Sequence, residues 1–172
     1  MPIGNNAKDD DRAPSCRCLL TSADDTQTLG ARLAQAMHGG MVLALSGELG
    51  AGKTTLVRGM LRALGFDDAV KSPSYTLVEE YPFSHLNFYH FDFYRFRTPE
   101  EWDTSGFAEY FRDDALCVIE WPEKLGDRLP TVDIMVILSW PDAQHDTRYA
   151  DITFLTPAGR ACQNVCDPQP SR

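Results

Sequence analysis

The sequence has no apolar run of transmembrane length; a spanning helix takes about 20 such residues. It also lacks an excess of positive charge. Sixteen Lys and Arg stand against 25 Asp and Glu, a formal net charge of −9. Such a surface repels nucleic acid as a whole, so autonomous tRNA or DNA binding is disfavoured and any RNA is expected to be held by a partner. The four histidines (His38, His85, His90, His145) are scattered, and none stands with a cysteine at zinc-finger spacing. Residues 1–14 are polar and carry Asp9, Asp10 and Asp11, without the apolar core of a signal peptide or the Arg-rich look of a transit peptide. A soluble, cytoplasmic protein with no membrane partner is expected. The five cysteines, an odd number, are expected to be free thiols in a reducing compartment, with a Cys162–Cys166 metal or redox pair as the alternative. There is no internal repeat. No N-K-x-D base-reading motif occurs, which argues against a Ras-like GTP reader.

What the sequence does have is Gly47-Glu48-Leu49-Gly50-Ala51-Gly52-Lys53-Thr54, followed by Thr55. This fits the phosphate-loop pattern G-x-x-x-x-G-K-[ST] in full. Glycines let the backbone curl into a nest whose N–H groups face an anion. Lys53 would reach the β- and γ-phosphates, and the Thr54 hydroxyl would bind the accompanying Mg²⁺. The context is the required one. An apolar run, Met41-Val42-Leu43-Ala44-Leu45, enters the loop, and Leu56, Met60, Leu61 and Leu64 recur behind it at helical spacing until Gly65.

At 172 residues the chain suggests one domain, over 16–158, between a disordered tail (1–15) and a flexible one (159–172). A helix is expected to start at Ser22, with Asp25 as its capping partner and Leu29, Leu33 and Met37 on its inner face. The turn over 21–26, with Ser22, is a candidate neighbour of the nucleotide base. After the phosphate-loop helix, β-rich residues up to Tyr81 and an aromatic run over 87–94 flank a short turn, which predicts an antiparallel hairpin. Asp92 lies among Phe91, Phe93 and Tyr94, and a carboxylate in such company needs a partner. Thr98, Pro99 and Glu101 read as a helix start. Asp103-Thr104-Ser105-Gly106 spells D-x-x-G but falls in a helical region and is read as coincidence. A short helix over 107–111 should follow.

The second landmark is Leu116-Cys117-Val118-Ile119-Glu120-Trp121-Pro122-Glu123. Four apolar residues ending in an acid resemble a Walker B strand, whose carboxylate completes the Mg²⁺ shell. Glu120 is chosen over Glu123 because Pro122 breaks the chain behind it. Trp121 would stand beside the site, as a core indole or a nucleotide contact. A last hairpin is expected over 133–140 and 148–155.

Together with Lys71-Ser72-Pro73-Ser74-Tyr75-Thr76-Leu77-Val78-Glu79, Tyr89-His90-Phe91-Asp92-Phe93-Tyr94-Arg95 and Ile119-Glu120-Trp121-Pro122, the phosphate loop resembles the TsaE (YjeE) family of small bacterial P-loop ATPases. The resemblance runs from about Leu20 to about Leu155. It implies one α/β domain with a mixed parallel and antiparallel sheet flanked by helices. It implies an ATPase that acts with the TsaB–TsaD pair in forming threonylcarbamoyladenosine beside the anticodon of tRNA. Thr54 and Glu120 match the Mg²⁺ ligands, Lys53 the phosphate lysine, Asp92 an acidic switch residue, and Arg148 a basic position associated with the nucleotide. Phe93, Phe96 and Trp102 stand where leucines are usual. Two other classes remain as alternatives: a nucleotide-gated binding module with incidental hydrolysis, and a small-molecule P-loop kinase, which would need an arginine-bearing lid.

Overall fold

The apolar run ahead of the glycine loop forms the middle strand of a seven-stranded mixed sheet. In this computed structural model residues 12–141 and 147–167 are described. The acidic run at 9–11, His145 with the centre of the last hairpin turn, and residues 168–172 lie outside them. The strands are β1 (Ser15–Leu20), β2 (Val42–Ser46), β3 (Val78–Pro82), β4 (Asn87–Asp92), β5 (Ala115–Glu120), β6 (Ile134–Ser139) and β7 (Arg148–Phe154). Helices α1 (Ala23–Ala36) and α2 (Lys53–Ala63) are long; α3 (Glu101–Ser105) and α4 (Pro157–Arg160) are one turn or little more. Strand order is β1-β7-β6-β2-β5-β4-β3.

Four neighbouring strands, β6-β2-β5-β4, run parallel, and both expected hairpins, β3–β4 and β6–β7, pair antiparallel beside them. The central strands β2 and β5 are covered on both faces, which is why they read as unbroken apolar runs. The rims are polar instead. β3 carries Glu79 and Glu80 and ends in Pro82, features that discourage further strand addition. On β1, Arg17 forms a two-pronged pair with Asp151 of β7 at 2.6 and 2.9 Å.

The two faces of the sheet are covered differently. Leu43, Leu45, Phe88, Leu116 and Val118 pack under α1 and α2. The helices touch through glycines: a Cβ on Gly30 would lie 2.1 Å from the Leu56 carbonyl oxygen, and one on Gly59 2.1 Å from that of Gln27. Only glycine permits so close a crossing. On the other face Tyr89, Phe91, Phe93 and Phe96 meet Trp102, Phe107, Tyr110 and Phe111 from α3 and the 3-10 turn Phe107–Tyr110. Phe91 lies 5.7 Å from Phe107 and 5.4 Å from Phe111, centroid to centroid.

Several expectations change. The N-terminal tail stops short of residue 15, because Ser15 opens β1, and Pro14 already accepts a hydrogen bond from the Phe154 amide at 2.9 Å. At the other end, residues 157–167 fold back as α4 and the 3-10 turn Gln163–Cys166, burying Cys162 and Val165. Not all thiols are free: Cys16 of β1 is disulfide-bonded to Cys166, leaving Cys18, Cys117 and Cys162. Cys166 therefore pairs with neither a metal nor Cys162. Burial pushes the Cys117 thiol up to about 12, so it is chemically inert. Thr98 is not the cap of α3; Glu101 instead turns back to accept from the Arg97 and Thr98 amides at 2.6 and 3.0 Å.

Candidate active site

Register brings the chemistry together. β2 and β5 align so that Leu45 faces Glu120, and β5 and β4 align so that Glu120 faces Asp92. Three parallel strands thus end at one level, where the glycine loop leaves β2. In open α/β sheets that edge is where ligands bind.

The loop is built for an anion. Gly50 and Gly52 have φ of 82° and 104°, a region that side-chain-bearing residues rarely adopt. A Cβ on Gly52 would also come 3.4 Å from Arg148 Nε. Arg148 donates to the Gly50 carbonyl at 3.4 Å and so backs the loop from β7. Gly52 caps α2 with no side-chain bond, so the first N–H groups of an eleven-residue helix face the loop's hollow. Lys53 folds over its own loop and donates to the carbonyls of Gly47 (2.5 Å) and Glu48 (2.9 Å). Its ammonium also lies 4.1 Å from the centre of the Trp121 ring. Burial holds the Lys53 ammonium below the usual lysine range, opposed by the charges of Glu120, Glu123 and Asp92.

Beside the loop, Glu120 Oε1 accepts from two donors: Thr54 Oγ1 at 2.9 Å and His90 Nε2 at 2.8 Å. Asp92, next along the sheet, accepts from the Tyr94 amide at 2.8 Å and from the Ser72 hydroxyl. His90, Asp92, Glu120 and Lys53 are all buried. Glu123, the rival acid, is exposed and only reaches Ser46 Oγ at 3.4 Å. Trp121 takes a left-handed conformation (φ 60°), packs at a tilt against Tyr94 with ring centroids 5.0 Å apart, and so turns the chain out of β5 beside the site.

A cavity of about 320 Å³ opens here. Of the expected residues, Leu49, Gly50, Gly52, Lys53, Thr54, Thr55, Asp92, Glu120 and Trp121 line it. Ala51 is buried in the α1/α2 core, and Glu48 contributes its carbonyl to Lys53. Ser22 lies elsewhere: its hydroxyl caps α1 by accepting the Asp25 amide at 3.1 Å, and Thr26 is the member of that turn beside Gly52. Ser72, Ser74, Tyr94 and Arg95, all from the stretches that carry the family resemblance, also line the cavity. Arg95 stacks on Tyr75 at 3.9 Å, and Tyr75 is 82% exposed. Asp103 pairs with Arg128 at 3.3 Å, away from the cavity, as a coincidental D-x-x-G requires.

His90 is the residue sequence reading passed over. Its signal was present: two positions before Asp92 in a strand, it must share Asp92's face.

Among the described residues, no group of three or more His, Cys, Asp or Glu could by itself hold a metal. A hydroxyl and a carboxylate 2.9 Å apart at a phosphate loop still fit Mg²⁺, which uses one or two protein oxygens, water and substrate phosphates rather than a full protein cage.

The fold and loop define a class: a P-loop NTPase-like domain with a mixed sheet between helices. Within that class the chain belongs to the TsaE family, whose model, "Threonylcarbamoyl adenosine biosynthesis protein TsaE", matches residues 20–149. It is 46% identical over 120 residues to the tRNA threonylcarbamoyladenosine biosynthesis protein TsaE of Haemophilus influenzae, covering 70% of this chain and 74% of that one. To the protein of the same name in Bacillus subtilis it is 33% identical over 144 residues, 84% and 87% of the two chains. The crystal structure of Bacillus subtilis YdiB superposes with a TM-score of 0.74 at 26% identity, over 89% of this chain and 95% of that one. Proteins of this family are involved in the biosynthesis of threonylcarbamoyladenosine in tRNA.

Proposed function

We propose that this chain is a Mg²⁺-dependent ATPase of the threonylcarbamoyladenosine machinery, acting on the TsaB–TsaD complex and meeting tRNA only through it. The Thr54–Glu120 hydrogen bond carries the reading. It joins the hydroxyl behind the phosphate-loop lysine to the carboxylate ending the neighbouring strand, the two groups that must share a metal in a P-loop enzyme.

Lys53 exchanges its two loop carbonyls for β- and γ-phosphate oxygens, with the amides of Gly50, Gly52, Lys53 and Thr54 offered to the same anion, while the Ala51 amide closes the loop on the Glu48 carbonyl at 3.0 Å. Thr54 and Glu120 hold Mg²⁺, which when bound offsets the negative charge that builds on the transferred phosphoryl group. Asp92, kept in place by Ser72 and the Tyr94 amide, orients the attacking water or senses the γ-phosphate. Thr55 completes the phosphate wall, Arg148 supports the loop from behind through the Gly50 carbonyl, and Trp121 covers Lys53. Hydrolysis by the chain alone is slow, because among the described residues the arginine that lines the cavity, Arg95, is stacked on Tyr75.

Fluorescent-nucleotide binding and phosphate release, each with and without Mg²⁺ and the purified TsaB–TsaD pair, test this. Mg²⁺-dependent ATP binding by the chain alone, with turnover raised by the pair, is expected. Absence of Mg²⁺-dependent binding would sink the nucleotide reading. Equal turnover with and without the pair, and no nucleotide-dependent association, would remove the partner from it.

A further inference from the structure

His90 has no solvent exposure, and it stands on the α2-facing side of β4 opposite Val118 of β5. A polar ring in that position needs a reason. One ring nitrogen, Nε2, meets Glu120 Oε1 at 2.8 Å. The other, Nδ1, has no hydrogen-bond partner. Because an ionised carboxylate can only accept, Nε2 is the donor. The ring therefore gives one hydrogen bond and leaves its second nitrogen unmatched, an arrangement that packing alone would replace with Phe or Leu.

Both donors to Glu120 fall on the same oxygen. Thr54 is the donor that metal binding takes away, since its hydroxyl becomes a ligand in the reading above. His90 is then the one that stays. We infer that His90 is a positioning residue: it anchors Glu120 Oε1 from beneath, so that the carboxylate keeps its place when Thr54 turns to the metal. Oε2, which takes neither of these two hydrogen bonds, would then be available to the metal or its waters. This rests on the proposed Mg²⁺ site, and it assigns a function to a residue outside that site's ligand set. Asp92, two residues on, shares the face and is held separately by Ser72 and the Tyr94 amide. The two carboxylates thus have independent supports.

The test compares three variants. His90→Gln places an amide N–H near the position of Nε2 and keeps the donor; His90→Asn places it near Nδ1, short of Glu120; His90→Phe keeps ring volume without a donor. The readouts are thermal unfolding, Mn²⁺ affinity in the presence of a non-hydrolysable ATP analogue, nucleotide affinity without metal, and turnover. Loss of a hydrogen bond that orients a metal ligand typically weakens metal affinity or activity about 10- to 100-fold. His90→Phe and His90→Asn should show that loss in metal affinity and turnover, with metal-free nucleotide affinity unchanged. His90→Gln should stay within about threefold of wild type, by the same scale. Wild-type metal affinity in His90→Phe would overturn the inference. If His90→Phe does not fold, equal metal affinity in His90→Asn and His90→Gln would overturn it as well. Lack of Mg²⁺-dependent nucleotide binding by the wild-type chain would instead overturn the site reading on which it stands.

Discussion

The two faces of one strand pair, β4 and β5, do opposite work. Phe88, His90, Asp92, Leu116, Val118 and Glu120 point towards α2; Tyr89, Phe91, Cys117 and Ile119 point the other way. The first face ends in buried polar groups that hydrogen-bond to one another and to a helix start, with His90 Nδ1 left over. The second is an aromatic block covered by α3, the 3-10 turn Phe107–Tyr110 and the 3-10 segment Pro122–Arg128 that brings in Leu125. Burying ionisable groups is costly unless each finds a partner, so that cost is confined to one edge of one face. The aromatic side supplies apolar area close behind it: rings bury large surfaces and add edge-to-face contacts. Stability and chemistry are therefore separated by the two-residue period of a strand, and substitutions one position apart should separate them too.

The largest expected effect lies on the aromatic face. Phe91→Ala should cost about 3–5 kcal/mol of stability, the range for truncating a fully buried ring, because Phe91 touches Phe93, Phe107, Tyr110 and Phe111. Urea unfolding measures it. Protein that remains folded should bind nucleotide as wild type does; a selective loss of binding would break the comparison.

Next comes Lys53→Ala on the chemical face. Its removal should lower turnover on the order of 100- to 1000-fold, as for other preorganised donors to a developing anion. The melting temperature should change little, since the hydrogen bonds of Lys53 go to its own loop. A large fall in melting temperature with turnover kept would reverse the assignment of that face.

The Cys16–Cys166 bond joins the edge strand to the C-terminal turn across 150 residues of sequence. Reducing it, or making Cys16→Ser, should lower stability by about 2–4 kcal/mol, read as a shift in denaturant midpoint. Turnover at low temperature should be unchanged, because neither cysteine lines the cavity. Identical midpoints under oxidising and reducing conditions would mean the clasp contributes nothing in solution.

Local chemistry was legible in the sequence and partnership across the fold was not. The phosphate loop, the strand ahead of it and the helix behind it are one contiguous stretch, so spacing alone placed them. The break at Pro122 favours Glu120 over Glu123 in the sequence, and in the structure it is Glu120 that accepts from Thr54 while Glu123 reaches Ser46. β1 is not legible although Ser15-Cys16-Arg17-Cys18 alternates polar and apolar, because a cysteine next to a polar tail does not announce itself as an inward-facing apolar residue. The disulfide depends on two chain ends meeting at the β1 edge, which no local pattern encodes. His90 depends on the β4–β5 register: only when Asp92 is set opposite Glu120 does a histidine two residues earlier come within reach of that carboxylate.

The smallest effect, and the sharpest use of the comparison, concerns Asp92. One residue further, Phe93 belongs to the aromatic block. Asp92→Asn should leave the fold intact. The amide oxygen can still accept from the Tyr94 N–H, and the Ser72 hydroxyl can rotate from donating to accepting. What disappears is the negative charge beside Glu120 and Lys53. If Asp92 orients water or senses the γ-phosphate, nucleotide affinity should stay near wild type while turnover falls about tenfold, the low end of what a positioned acid or base contributes. Ser72→Ala is the matching control, since it removes a support and keeps the charge; its effect on turnover should be smaller than that of Asp92→Asn. A stability loss in Asp92→Asn like that of Phe91→Ala would place Asp92 with the core, and the division between the two faces would then begin at Glu120 alone.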